Sequence, residues 1–176
     1  MTANEKFLTQ RQRYQPVTLP QDFSDEEMAR DWTLSEADKK EVNRYRTHSR
    51  LFIAIQLCAV RLYGRFLVEV NDLSPRIVSY LNSQLELPPS LTINTPDRDA
   101  TFSEQRKNIL TYLGFVKYDD NAQASLEKWL SKQAEQGFLP DELFLRAEQY
   151  LLNTKVILPG PSVLERLIIS VCSEVH

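Results

Sequence analysis

An almost unbroken apolar run between Leu51 and Leu62 is the feature that most constrains how this chain can fold. Only Gln56 and Arg61 interrupt the run, so its apolar residues cover the whole circumference of a helix instead of a single stripe. The run is also shorter than the roughly 18 apolar residues that a membrane-spanning helix needs. We therefore predict that residues 47–66 contain a core helix surrounded by other helices.

Helix start and stop signals recur along the rest of the chain. Ser35 and Asp38 have the spacing of an N-cap, and Ser74 followed by Pro75 marks another helix start. All four glycines fall at predicted helix ends, and no segment shows convincing strand alternation. These signals predict an all-α fold, a bundle of about seven helices in two helix-turn-helix-like units.

The proline-rich stretch 88–99 suggests where these units divide. We predict an amino-terminal arm at 1–34, a first helical unit with the central helix at 35–90, and a second unit at 91–176. Similar segments at 61–66 and 111–115 each end a predicted helix with a glycine. An internal repeat explains this similarity, and so does chance resemblance between two helix ends.

Composition argues against most kinds of catalytic site. The chain has two histidines, no CxxC or HxxxH pair and no glycine-rich phosphate loop. Cys58 and Cys172 lie in apolar runs and are expected to be small buried residues, not a disulfide or a reactive thiol. The formal net charge of -3 counts against an indiscriminate nucleic-acid coat and makes any nucleic-acid site a local patch.

Positive charge is concentrated around the ends of the central helix. Residues 35–65 contain seven basic and three acidic residues, a net charge of +4. Guanidinium groups interleaved with hydroxyl and amide groups suit phosphate contacts at a helix start, although a solvated helix face would have a similar composition. A second basic set surrounds the helix predicted after the long loop. The candidate DNA-binding residues are Lys40, Arg44, Arg46, His48, Arg50, Arg61, Arg65, Arg98, Thr101, Arg106, Lys107 and Lys117.

A set of segments falls in a characteristic order and spans nearly the whole chain: residues 33–38, 44–50, 51–67, 74–75, 80–85, 113–115 and 158–168. Together they resemble the amino-terminal domain of the Tn3 family of replicative, cointegrate-forming transposases. In one departure, Gln105 stands four residues before Ile109, where the family often has a histidine. We expect Arg106 and Lys117 to make part of the base or phosphate contacts that the resemblance would otherwise assign to this position.

The resemblance implies sequence-specific binding to double-stranded DNA at the terminal inverted repeats of a transposon. It implies that this chain is a fragment that binds without cutting, while an acidic catalytic triad of the DDE type and its magnesium ions lie in the missing remainder. No cofactor is therefore expected in this chain. The expected partners are double-stranded DNA and the rest of the transposase. A homodimer of the full protein is compatible with the resemblance, and no association with a membrane is expected. The expected location is the bacterial cytoplasm, at the nucleoid when bound.

A protein–protein interaction module is the competing function. In that alternative the helical domain holds another protein or the rest of a transposase, and the basic segment is merely solvated. Absence of DNA binding, together with tight association to the remainder, would favour it.

Overall fold

The computed structural model describes residues 5–175, so residues 1–4 of the predicted arm and residue 176 lie outside the described part. This part is all-α, as predicted, and contains no strand, only an isolated parallel bridge between Val116 and Val156. It has nine α-helices instead of about seven, because short capped helices also form in the arm. The helices are α1 (Gln10–Tyr14), α2 (Asp25–Trp32), α3 (Glu36–Val42), α4 (Thr47–Tyr63), α5 (Pro75–Gln84), α6 (Asp99–Leu113), α7 (Asp120–Glu135), α8 (Pro140–Asn153) and α9 (Pro161–Val175).

The helices form two compact units. One unit consists of residues 18–114, with α2 to α6, and the other of residues 5–17 together with 115–175, with α1 and α7 to α9. The boundaries expected from the sequence, at 34/35 and 90/91, differ from these. The difference arises because α2 and α6 both pack on α4, and the Phe52 and Phe102 rings meet edge-on with centroids 5.7 Å apart. The proline-rich stretch thus connects helices within one unit.

Helix α4 is the core of residues 18–114. Every residue from Leu51 to Val60 is buried, and α4 packs against α2, α3, α5 and α6. Gln56, the polar residue in the middle of the run, donates to the backbone oxygen of Leu67 at 2.9 Å and accepts from its backbone nitrogen at 2.8 Å. Because both the oxygen and the nitrogen of the Gln56 amide are hydrogen-bonded, burying this side chain among apolar residues costs little free energy.

A glycine follows the last residue of α4, and another follows the last residue of α6. Gly64 after α4 and Gly114 after α6 have φ angles of 67° and 75°, a left-handed conformation that glycine adopts without strain. Both glycines lie in the same compact unit, whereas the repeat hypothesis placed them in different units.

The other unit is a three-helix arrangement of α7, α8 and α9 joined by α1. Its core includes Leu130, Leu143, Leu151 and Ile168. The buried Glu165 on α9 accepts hydrogen bonds from the backbone nitrogens of Phe7 and Leu8, at 2.8 and 2.7 Å, and from the Arg13 guanidinium. One carboxylate therefore holds the amino-terminal segment on the bundle. None of the helices in residues 5–175 has the length and apolar character needed to cross a bilayer.

Candidate nucleic-acid interface

The start of α4 presents accessible positive charge. Arg46 is the N-cap residue of α4, and its side chain does not cap the helix. Arg46 and His48 are exposed, and no acidic residue occupies the first turn. The first N–H groups of a helix have no intrahelical acceptor and carry the positive end of the helix dipole. This helix start is therefore suited to phosphate groups.

Arg50 has a structural role that its sequence position did not reveal. Its guanidinium donates to the backbone oxygens of Tyr45, at 2.9 Å, and Asn43, at 3.1 Å. These carbonyl groups belong to the connection between α3 and α4, so Arg50 fixes the path of the chain into the central helix. Arg44 remains largely exposed, but it forms an ion pair with Glu41 at 3.1 Å.

Arg61 is committed to the fold by a network that joins α3, α4 and α6. It donates to both carboxylate oxygens of Asp38, at 2.9 and 2.6 Å, and the Tyr112 hydroxyl donates to the same carboxylate at 2.7 Å. Burial raises the pKa of Asp38, but the hydrogen bonds it accepts, first of all from Arg61, outweigh burial and hold the pKa below its usual range. Arg61 therefore serves as the partner of a buried carboxylate.

Arg65 lies inside the unit, with 6% of its surface exposed. Four candidate arginines lie near the two ends of α4. Arg50 binds backbone oxygens, Arg61 binds a carboxylate and Arg65 is buried. Arg46 is accessible. The positive charge available to a ligand therefore lies at the amino-terminal end of α4.

Helix α6 carries the second basic set on its outer face. Arg98 is its N-cap residue, again without a side-chain cap, but here Asp99 occupies the first turn; Thr101 and Lys107 are exposed. The Arg106 guanidinium carbon lies 4.1 Å from the centroid of the Phe102 ring and 5.2 Å from that of Phe66. Desolvation lowers the pKa of Arg106, which nevertheless remains charged at neutral pH.

Both basic sets, apart from Lys117, belong to one compact unit, residues 18–114. The Tyr45 side chain, between Arg44 and Arg46, lies beside Asn108 and close to Glu104 on α6. Lys40 is exposed on α3, at an open groove of about 560 Å³ whose walls also include Lys39, Arg44 and Glu86. Lys117 is exposed and belongs to the other unit.

Sequence reasoning missed the aromatic support of Arg106. Phe66 follows α4 and Phe102 lies on α6, and 36 positions separate them along the chain, so no local pattern pairs them. Gln105, which stands where the family often has a histidine, is buried instead of facing outward. Within residues 5–175, no three His, Cys, Asp or Glu side chains come together as metal ligands would.

Comparisons with known proteins point to one group of relatives. A family model described as "Domain of unknown function (DUF4158)" matches residues 7–171. The transposase for transposon gamma-delta of Escherichia coli (strain K12) is 31% identical over 171 residues, which cover 92% of this chain and 17% of that protein. The transposase for transposon Tn1546 of Enterococcus faecium is 26% identical over 169 residues, 96% of this chain and 17% of that protein. The transposase for transposon Tn501 of Pseudomonas aeruginosa is 26% identical over 159 residues, 90% of this chain and 16% of that protein. The chain thus spans about a sixth of the length of these curated relatives.

Proposed function

Since the chain belongs to the family described as domain of unknown function DUF4158 and its relatives are transposases, we propose that it binds double-stranded DNA at the terminal inverted repeats of a transposon. The relatives give the chain a transposase-related role. The proposal adds that it acts as the non-catalytic amino-terminal part of a DDE transposase. Catalysis, with its magnesium ions, would belong to residues outside this chain. The DNA-bound protein would lie at the nucleoid.

The observation that carries this proposal is the accessible positive charge on residues 18–114. Arg46, Arg98 and Lys107 are exposed and form no ion pair or side-chain hydrogen bond with another described residue. Since the chain as a whole has a formal net charge of -3, these cations are a local feature and not part of a general basic surface. Local positive charge on an otherwise acidic chain favours one defined anionic partner.

The expected mechanism separates positioning from reading. Arg46 and the first-turn N–H groups of α4 would contact phosphates, as would Arg98 at the start of α6. These contacts fix the register of the protein on the duplex without regard to sequence. Polar side chains of an exposed helix would then contact base edges in the major groove.

Fluorescence anisotropy with labelled duplexes tests the proposal. The 176-residue chain should bind the terminal repeat of its own element more tightly than a scrambled duplex of the same length. If Arg46, Arg98 and Lys107 each neutralise one phosphate, a plot of the logarithm of the association constant against the logarithm of the salt concentration should have a slope of roughly −2.7 or steeper. Affinity should then fall by about 40-fold between 50 and 200 mM salt. Equal binding of both duplexes, or no binding, would refute the proposal.

A pair of variants separates specific phosphate contacts from general charge. Arg46→Ala should weaken binding to every duplex and lower the salt slope by about 0.9. Arg166→Ala is the matched control, because Arg166 is an exposed arginine on α9 in the other unit. The same loss in both variants would show that Arg46 makes no particular contact.

A protein–protein interaction module remains the second candidate because two large apolar side chains are exposed at α8. Leu139, its N-cap residue, and Leu145, within the helix, are 60% and 64% exposed. Contact with another protein would cover them. Tight association with the rest of the transposase by a chain that binds no DNA would favour this function over the first.

A further inference from the structure

We propose that Arg106 on α6 reads a guanine in the major groove, which rests on the proposed DNA binding and names the residue that gives it specificity. A reading helix must expose one face along its length. Helix α4 cannot do so, since residues 51–60 are all buried. Helix α6 buries only Gln105 and Ile109.

Arg106 is exposed and lies at the border between the apolar and exposed faces of α6, next to Phe102. Ser103 and Lys107, which lie within one turn of it, are also exposed. Ser103 is small, so its side chain would not hold the helix away from base edges. Lys107 is long and mobile, and its charge suits a phosphate beside the groove.

The surroundings of Arg106 differ from those of the arginines that hold the fold. Arg61 meets a carboxylate and Arg50 meets backbone oxygens, whereas Arg106 forms no ion pair or hydrogen bond with a described residue. Its guanidinium lies over the rings of Phe102 and Phe66. The Phe102 ring in turn contacts Phe52 in the buried part of α4, so this support is anchored in the core.

A guanidinium held in this way is prepared for a base contact. A guanidinium that stacks on aromatic rings keeps the N–H groups at its edge available. Those N–H groups match the O6 and N7 acceptors that guanine presents in the major groove. Because stacking already restricts the side chain, less conformational entropy is lost on forming the bidentate pair. A phosphate contact needs only a charge and would not require this support.

Removing one acceptor atom from the DNA tests the contact. Each guanine of the terminal-repeat duplex is replaced in turn by 7-deazaguanine, which lacks the N7 acceptor. Affinities are measured by anisotropy for wild type, Arg106→Ala and Arg106→Lys. The Lys variant keeps the charge but loses the planar fork. The control is Arg146→Ala, since Arg146 also stacks on an aromatic ring, Phe138, in the other unit.

We expect one replacement to weaken wild-type binding by about five- to tenfold, the lower part of the range of a bidentate pair, because only one of its two acceptors is removed. Arg106→Ala should be insensitive to that replacement and Arg106→Lys less sensitive than wild type, while Arg146→Ala responds like wild type. If Arg106→Ala still responds to the same replacement as wild type, Arg106 does not contact that guanine and contacts a phosphate or nothing. This inference then fails while the proposed function stands. If wild type does not prefer the terminal repeat at all, the proposed function fails and the inference falls with it.

Discussion

Replacing Arg61 by alanine should damage the fold and leave the DNA-binding surface in place. Arg61 was predicted from the sequence to bind DNA, yet it donates two hydrogen bonds to the buried carboxylate of Asp38. After the substitution, Asp38 would keep the hydrogen bonds from Tyr112 and from the Ser35 backbone, but its charge would have no cationic partner. The two arginines at opposite ends of α4, Arg46 and Arg61, should therefore have opposite phenotypes.

The size of the effect follows from burial. Removing one partner of a buried ion pair costs about 3–5 kcal/mol, because the other charge stays buried. The Asp38 side chain is 3% exposed, but that of Arg61 is 40% exposed, so water can enter where Arg61 is removed. The expected loss in the free energy of unfolding is therefore lower, about 2–3 kcal/mol. For a chain of this size, the melting temperature should fall by about 4–12 °C.

Thermal unfolding followed by circular dichroism measures this loss. Arg46→Ala is the matched control, and as an exposed substitution it should change stability by less than about 0.5 kcal/mol. At a temperature where both variants are folded, Arg61→Ala should keep wild-type affinity for the terminal-repeat duplex. Wild-type stability of Arg61→Ala, or a loss of stability in Arg46→Ala as large, would refute the assignment.

Three further predictions concern buried titratable groups. The folded pKa of Asp38 lies below its ordinary value of 3.8, so the stability it contributes is present above that pH and is lost as the pH falls further. Asp38→Asn should reduce this loss of stability, measured as the free energy of unfolding between about pH 5 and 2; an unchanged pH dependence would contradict the assignment. Burial raises the pKa of the Cys58 thiol to about 12, so a thiol reagent at pH 8 should modify it only after denaturant is added, and reaction in the native protein would be contrary to its burial. Glu165→Ala removes the acceptor that holds the amino-terminal segment, so trypsin should cleave faster at Arg13 in this variant than in wild type, and equal rates would show that Glu165 is not the anchor.

Local signals were enough to predict the class of fold and its central element. The apolar circumference of residues 51–62 indicated a surrounded helix, and α4 is buried over Leu51–Val60. Ser35 and Asp38 form the expected reciprocal cap at the start of α3. The ordered motifs of the Tn3 family were also interpreted correctly, since the family match and the transposase relatives are consistent with the amino-terminal region of such a transposase.

The roles of individual arginines could not be predicted, because they depend on contacts between distant parts of the chain. Asp38 precedes Arg61 by 23 positions, and Tyr112 follows far along the sequence. A run of basic residues looks the same whether its charges face solvent or hold carboxylates and carbonyl groups. The membership of α6 in the unit of α4 was hidden for the same reason, since it depends on the contact between Phe52 and Phe102.

Amide hydrogen exchange of the 176-residue chain, with and without the terminal-repeat duplex, would test most directly where DNA binds. First-turn amides of a helix lack intrahelical acceptors and exchange quickly, so a bound phosphate slows them visibly. We predict slower exchange in peptides covering residues 44–50 and 98–107 of one compact unit, and no change across α7 to α9. Slower exchange confined to α7 to α9, or none anywhere while the duplex is bound, would contradict the proposed interface.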